Sequence, residues 1–233
     1  MPSTTSTPRT YPFAIANAFT QDAFAGNPAT IVFLDPSETL TQEERLKFVE
    51  GINQPVVVFL TPTSSGKPGA VVSFDIRYFS PGREFGLCGH GTIAAMKVIL
   101  DSAANLPGFG QGSPFPVFSS PETQIVEFTT AGGIVVSARR VLIPNEVNGK
   151  EEDWFEIVLP ARGVKTLHAE EEVKVLGIFN RAVGKESKIK YIGAGESPFH
   201  DNLLIVLDES ENLEQLRVDT SVLVGTRTRG PRN

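Results

Sequence analysis

The chain has 233 residues, of which 40% are hydrophobic and 21% are charged, and its formal net charge is −6. These values are typical of a folded globular protein with a sizeable core and exclude disordered and fibrous proteins. The acidic balance contains no long basic run, which argues against a nucleic acid partner and favours a small-molecule ligand.

Cysteine content and hydropathy indicate a soluble protein of the cytoplasm. The single cysteine, Cys88, cannot form a disulfide within the chain, which favours a reducing compartment. Cys88 and the histidines lack the spacing of a zinc site, so we expect no metal; the histidines are His90, His168 and His200. The purely apolar run at residues 56–60, which no other run exceeds in length, is too short to cross a membrane, so we expect no membrane partner.

A first block, residues 11–118, follows a flexible leader at residues 1–10 that lacks the apolar core of a secretory signal. A helix is predicted over residues 41–52, because Thr41 can cap it and Glu44 stands at the capping-box position. The clearest helix, residues 89–104, is apolar around most of its circumference, as expected of a helix buried in a core. Apolar and β-branched runs predict strands over residues 13–19, 30–34, 56–60 and 70–79.

A second block, residues 119–224, begins within a stretch at residues 106–121 that is rich in Pro and Gly, as is typical of a linker or a domain boundary. The acidic residues 151–153 are interpreted as a solvent-facing segment, and residues 225–233 as a basic tail without a packing pattern. The block is predicted to contain a helix over residues 169–179 and strands over residues 125–129, 134–142, 155–159, 189–192 and 202–207. Several strands, few helices and no βαβ alternation together predict an α+β fold.

The segment Leu87-Cys88-Gly89-His90-Gly91-Thr92 opens the buried helix and is the first candidate for a functional site. The free amides at a helix N-terminus carry partial positive charge, and glycines allow a ligand to approach the backbone closely. This arrangement suits an anion such as a carboxylate, held beside a titratable imidazole. The alternative interpretation is a glycine-rich turn in which the histidine is a partial cap.

Asn27 is the second candidate, because the following Pro28 biases it to an extended backbone that presents its amide outward. Such an amide can orient a polar group of a substrate. The alternative interpretation of the same residues is a tight turn.

These segments together resemble the phenazine-biosynthesis (PhzF-like) isomerase family. The opening of these proteins is similar to Asn17-Ala18-Phe19-Thr20 followed by Gly26-Asn27-Pro28-Ala29. The segment Arg77-Tyr78-Phe79-Ser80-Pro81, followed by Glu84, resembles the end of a family strand. The segment Leu87-Cys88-Gly89-His90-Gly91-Thr92 resembles the Leu-Cys-Gly-His-Ala-Thr start of the family's first central helix. The match runs in order across residues 11–104 and is diffuse over residues 120–224.

The resemblance implies a fold like that of diaminopimelate epimerase, in which two lobes of strands each surround a central helix. It also implies acid–base isomerisation of a small, often carboxylate-bearing metabolite, without metal or organic cofactor, by a homodimer that serves secondary-metabolite biosynthesis. By the same resemblance His90 would be catalytic, and the substrate-binding residues would be Asn27, Cys88, Gly89 and Gly91.

The sequence departs from the family pattern at two points. The family's catalytic Glu, within an Asn-x-Ser-Glu-Thr-like pattern, aligns with Val56, and valine cannot transfer a proton. The Glu-Asp-Pro-x-Thr-Gly-Ser-like motif that opens the second central helix is absent, so we expect an incomplete second lobe. A two-thiol racemase mechanism is excluded because Cys88 is the only cysteine, and Glu50 is a candidate replacement base.

Two functional hypotheses therefore stay open. In the first, the protein is an isomerase in which His90 and good substrate positioning suffice for a rearrangement of modest chemical demand. In the second, the protein is catalytically inactive and serves as a binding or dimerisation module. The two hypotheses differ in whether a carboxylate reaches His90.

Overall fold

The computed structural model describes residues 9–22, 24–63, 71–105, 125–145, 149–161, 163–196 and 202–223. The predicted linker at residues 106–121, the basic tail and most of the leader lie outside the described residues. Contacts between residues divide the chain into two compact units, Met1–Pro160 and Ala161–Asn233. The boundary that the sequence analysis places at 118/119 falls outside the described residues, and strands from both sides of it share one sheet.

The first unit is built on an eight-stranded mixed sheet with two helices. Its strands are β1 (Phe13–Ala18), β2 (Asn27–Phe33), β3 (Val57–Pro62), β4 (Val72–Ser80), β5 (Arg83–Phe85), β6 (Ile125–Thr130), β7 (Val135–Pro144) and β8 (Glu151–Val158). Its helices are α1 (Gln42–Ile52) and α2 (Gly89–Asn105). The strand order is β1-β2-β3-β4-β6-β7-β8, and β5 pairs with β4. The pairs β2–β3 and β4–β6 are parallel, whereas the other pairs in this sheet are antiparallel.

Each face of the central strands packs against a different helix. In β3, Val58 and Leu60 belong to the apolar cluster that contains the buried side of α2, whereas Val57 and Phe59 belong to the cluster that contains Val49 of α1. A strand buried on both faces must be apolar throughout, which is why this segment lacks alternation. In β4 the predicted alternation is confirmed, since one side of the strand is buried in the α2 cluster; the residues are Val72, Phe74, Ile76 and Tyr78.

The capping box of α1 is formed as its sequence predicts. The Oγ1 atom of Thr41 accepts a hydrogen bond from the Glu44 amide at 3.2 Å, and the Glu44 carboxylate accepts one from the Thr41 amide at 2.8 Å. These two bonds satisfy donors that a helix N-terminus leaves without partners. The helix ends at Asn53, whose φ of 54° is left-handed, and Pro55 follows.

Two strands of the first unit differ most from the sequence prediction. The predicted turn at residues 80–83 leads directly into β5, which is fixed to β4 by an ion pair between Arg77 Nη2 and Glu84 Oε2 at 2.7 Å. Strand β8 begins at Glu151, four residues before the predicted start at 155, because β7 extends to Pro144 and pairs with it there. The acidic segment at 151–153 is therefore part of a strand at the edge of the sheet.

The second unit contains a three-stranded antiparallel sheet and one α-helix. Its elements are β9 (Val164–Thr166), α3 (Ala169–Val183), β10 (Ile189–Gly195), β11 (Leu203–Leu207) and two 3-10 helices, Leu213–Gln215 and Thr220–Leu223. The strand order is β11-β10-β9. Helix α3 runs four residues past its predicted end and stops at Gly184, whose φ is 70°. The predicted α+β class is confirmed, and no helix of the described residues is long and apolar enough to cross a membrane.

Replacing Thr41 by alanine should lower the free energy of unfolding by about 1 kcal/mol, because the Glu44 amide loses its side-chain acceptor. Urea unfolding followed by circular dichroism measures the change. Thr41→Ser is the matched control and should retain most of the stability, since its hydroxyl can accept the same bond. Equal unfolding midpoints for Thr41→Ala and the wild type would contradict the contribution of the capping box.

Candidate active site

The residues at the start of α2 form a small, partly buried polar group. Cys88 stands just before the first helical residue, and its Sγ atom lies 3.3 Å from Nδ1 of His90. The carbonyl of Cys88 accepts hydrogen bonds from the amide of Thr92 at 3.0 Å and from its Oγ1 at 2.9 Å. The first turn of α2 is therefore closed around Cys88, which occupies the N-cap position.

Burial keeps both the thiol and the imidazole in their neutral forms. Burial raises the pKa of the Cys88 thiol, although the amides of Gly91 and His90 oppose this by hydrogen bonding to the thiolate form. Burial also lowers the pKa of the His90 imidazole below its ordinary value. Desolvation disfavours charge in each case, so at neutral pH the group consists of a thiol and a neutral imidazole.

The second ring nitrogen of His90 is available for chemistry. Its Nε2 atom is buried and has no hydrogen-bond partner among the described residues. Among the residues that the structure describes, no carboxylate stands close enough to His90 to raise the pKa of its imidazole. A neutral imidazole with one uncommitted nitrogen can donate or accept a proton, or orient a polar group of a ligand.

A buried hydrogen bond fixes the first turn of α2 to the sheet. The hydroxyl of Tyr78 in β4 lies 2.6 Å from Oγ1 of Thr92, and Thr92 is fully buried. The one proton of the Thr92 hydroxyl is already donated to the Cys88 carbonyl, so Tyr78 must be the donor to Thr92. Burial raises the pKa of Tyr78 well above its ordinary value, which keeps this donor protonated.

The two glycines of the motif have different surroundings. A Cβ atom added to Gly91 would stand 3.0 Å from Cγ2 of Val58 and 3.4 Å from Tyr78, so the absence of a side chain lets α2 approach the sheet. A Cβ atom added to Gly89 would meet only Ile157, at an ordinary 3.8 Å. The close approach at Gly91 is therefore made by the protein's own sheet.

Val56 is 7% exposed and belongs to the apolar cluster against which Cys88 packs. It therefore lies on the α2 side of the sheet. Glu50 is exposed on α1, and the only buried residue of that helix, Val49, belongs to the cluster on the opposite side of the sheet. The expectation that Glu50 could replace a lost base next to His90 is therefore not supported by its position.

Asn27 lies outside the polar group at the start of α2. It is the exposed first residue of β2, opposite Ala18 of β1, and no hydrogen bond in the described structure joins it to Cys88 or His90. The preceding Gly26 has a φ of 80°, and a Cβ there would come within 2.4 Å of the Ala18 carbonyl oxygen. The tight turn weighed as an alternative is thus present at Gly26, whereas the substrate contact of Asn27 stays a prediction.

A cleft of about 840 Å³ is lined by residues at the end of β1, by α2 and by strand β8. Its walls include Phe19 and Gln21 after β1, Ile93 and Lys97 of α2, and Trp154. Among the described residues, those that line this cleft do not include Cys88 or His90. The candidate active site is therefore assigned from the chemistry of the motif and not from the size of a cavity.

The sequence profile of the family described as "Phenazine biosynthesis-like protein" matches residues 16–230. The chain belongs to this family. The match includes the motif at the start of α2 and also the region after residue 120, where the resemblance read from motifs is diffuse.

Relatives in the phenazine biosynthesis-like family agree with this assignment. An uncharacterized isomerase of Halalkalibacterium halodurans is 25% identical over 95% of this chain and 66% of its own length. Phenazine biosynthesis-like domain-containing protein 2 of Mus musculus is 29% identical over 91% of this chain and 63% of its own length. The chain thus spans slightly less than two thirds of the length of these relatives.

Solved structures show the same fold. A PhzF-family protein of Enterococcus faecalis is 21% identical, with a TM-score of 0.50 over 91% of this chain and 63% of the other. A protein from Pseudomonas aeruginosa, described as a predicted epimerase, is 16% identical, with a TM-score of 0.52 over 89% of this chain and 67% of the other. The expected diaminopimelate-epimerase-like fold class of this family member is confirmed.

The sequence analysis missed two contributors to the site. Tyr78 and Thr92 belong to segments that resemble family motifs, but the hydrogen bond between them was not predicted. It joins residues 14 positions apart in separate elements. The contact of the Cys88 sulfur with Nδ1 of His90 was also not predicted, although a polar side chain is often needed at a helix N-cap position. A polar residue spaced to face the core, as Thr92 is on α2, is the signal that could have indicated a buried partner.

Gly91→Ala should lower the free energy of unfolding by about 1–3 kcal/mol, because Val58 is fully buried and stiff and cannot move away from a new methyl group. Gly89→Ala is the matched control and should leave stability unchanged or raise it by up to about 1 kcal/mol. Urea unfolding of the two variants measures both effects. Equal stability of the two variants would show that the close packing of α2 on β3 is not needed.

Thr92→Val should be more destabilising than Tyr78→Phe. The valine leaves the buried Tyr78 hydroxyl without an acceptor, which costs about 1–3 kcal/mol. The phenylalanine removes that donor, while Thr92 still donates to the Cys88 carbonyl, so the cost should be nearer about 1 kcal/mol. Thermal unfolding of both variants tests the order, and the reverse order would mean that Thr92 is the donor.

Proposed function

We propose that the protein is an isomerase that acts by acid–base chemistry on a small, carboxylate-bearing metabolite, with His90 as its acid–base or orienting group. The observation that carries this proposal is the partly buried, neutral imidazole at the start of α2, whose Nε2 is uncommitted among the described residues. Membership of the phenazine biosynthesis-like family and a relative named as an isomerase support the reaction class.

The start of α2 would bind the anionic part of the substrate. The positive end of a helix dipole favours a carboxylate or an enolate oxygen there. The amides of His90 and Gly91 favour the thiolate form of Cys88, and Gly91 faces the protein's own sheet, so the Gly89 amide is the better placed of the two glycine donors for a ligand. Asn27 is proposed to orient the substrate from the start of β2.

Proton transfer would depend on His90 without the carboxylate of the family pattern. The resemblance aligns the family's catalytic Glu with Val56, a side chain that lies in the apolar cluster beside Cys88. An imidazole at the edge of this cluster can still polarise a substrate oxygen or move a proton, provided that the substrate is well oriented. We further propose that the protein is a cytoplasmic homodimer that works in secondary-metabolite biosynthesis without metal or cofactor.

A second candidate function is a catalytically inactive binding or dimerisation module. Two observations favour it: Val56 is apolar, and no carboxylate of the described residues stands near enough to His90 to raise its pKa. In this case the site binds a small carboxylate, and no proton moves.

The two functions are distinguished by proton exchange. The purified protein is incubated in D₂O with a panel of small carboxylic acids that carry a C–H bond next to a carbonyl or a double bond, and deuterium incorporation and rearrangement are followed by NMR. An acid–base isomerase is expected to catalyse one or both. His90→Ala should lower the rate by about 10²–10⁴-fold, as for removal of a general acid or base.

Two further variants control this experiment. His168→Ala, an exposed position in the second unit, should leave the rate unchanged. Val56→Ala should also leave the exchange rate nearly unchanged, because the valine side chain has no ionisable group. A wild-type rate in His90→Ala contradicts the proposed role. Binding of a panel acid without exchange supports the binding module, and a monomer by light scattering contradicts its dimerisation form.

A further inference from the structure

The thiol of Cys88 has three polar neighbours within the first turn of α2. Its sulfur lies 3.3 Å from Nδ1 of His90 and would stand 3.4 Å from a Cβ atom added to Gly91, and the amides of His90 and Gly91 favour its thiolate form. The sulfur occupies the place of the side-chain oxygen in an ordinary N-cap of Ser, Thr or Asp. Cys88 is thus in contact with the proposed catalytic imidazole and with the helix that carries it.

The proton of the thiol has one suitable acceptor in this group. Both backbone amides are donors, so they meet the acceptor side of the sulfur. An imidazole nitrogen is a stronger acceptor than a thiol sulfur, which both donates and accepts weakly. The arrangement in which every atom is used places the S–H bond toward Nδ1 of His90. Burial raises the pKa of Cys88, so the thiol retains this proton at neutral pH.

We propose that Cys88 is a positioning residue that holds His90 in the tautomer with its proton on Nε2. A neutral imidazole carries one N–H, and when Nδ1 accepts a hydrogen bond that N–H must be at Nε2. The uncommitted Nε2 then presents a donor. In this role the thiol proton is used within the protein, and the substrate contact predicted for Cys88 stays a prediction.

This assignment deepens the proposed function. What it implies about the substrate rests on that function. A donor at Nε2 must face an acceptor, so the ligand atom next to His90 is an oxygen of a carboxylate, carbonyl or enolate. His90 therefore first acts as a hydrogen-bond donor or acid. A substrate that offers an ammonium or a hydroxyl proton at this point would leave two donors opposed.

The tautomer can be measured directly on the full chain without a substrate. Long-range ¹H–¹⁵N correlation spectra of ¹⁵N-labelled protein at neutral pH distinguish a protonated ring nitrogen from an unprotonated one, and His90→Gln identifies the His90 signals by their loss. We expect an unprotonated Nδ1 and a protonated Nε2 for His90. The exposed His168 should show the averaged signals of a ring that exchanges between tautomers.

Two substitutions test whether Cys88 is responsible. In Cys88→Ala the His90 signals should shift toward the averaged pattern of His168, because Nδ1 has lost its donor. In Cys88→Ser they should keep the wild-type pattern, since a hydroxyl can donate to Nδ1 and accept the two amides. Circular dichroism of each variant verifies that α2 is intact; if Cys88→Ala does not fold, the wild-type and serine spectra still test the proposal.

Protonated Nδ1 in the wild type, or a fixed Nε2–H pattern that persists in a folded Cys88→Ala, overturns the proposal. The exchange assay and the spectra can fail separately. A confirmed tautomer with no exchange for any acid of the panel refutes the isomerase function and leaves the role of Cys88 standing. Exchange that depends on His90, found together with a protonated Nδ1, supports the isomerase function and refutes the role of Cys88.

Discussion

The packing of the first turn of α2 on the sheet is the constraint on which the candidate site depends. Gly91 allows the helix to approach Val58 of β3, and the buried hydrogen bond between Tyr78 and Thr92 fixes the helix against β4. Thr92 also closes the turn by bonding to the carbonyl of Cys88. Because the helix start is fixed at these points, the thiol and the imidazole meet at hydrogen-bonding distance without a flexible loop to hold them.

Burial then determines what kind of pair these two side chains form. It raises the pKa of the thiol and lowers the pKa of the imidazole, and both shifts oppose charge. A neutral pair is much cheaper to bury than a thiolate–imidazolium pair, whose desolvation would have to be offset by further hydrogen bonds. Cys88 and His90 are therefore arranged as a donor and an acceptor, and not as the activated nucleophile and base of a cysteine hydrolase.

Features encoded within one segment could be predicted from the sequence, whereas features that join distant segments could not. The capping box of α1, the alternation in β4 and the buried character of α2 are local patterns, and all are present. The strands β5 and β9 have only three residues each and exist because a neighbouring strand pairs with them. The Tyr78–Thr92 bond and the orientation of the thiol depend on how α2 lies on the sheet, which no single segment specifies. Family motifs indicated the segment of the candidate site, but not which of its atoms meet.

The parallel pairing of β4 with β6 also has a consequence for folding during synthesis of the chain. Strand β4 pairs on one side with β3 and on the other with β6, which begins 45 residues after β4 ends. Until β6 has left the ribosome, a nascent chain that already contains β5 and α2 presents residues 72–76 of β4 without their partner strand. Unpaired strand edges bind other strands, and long-range pairing closes slowly. We therefore expect incorrect strand pairing to be most favoured in the interval between the synthesis of α2 and of β6.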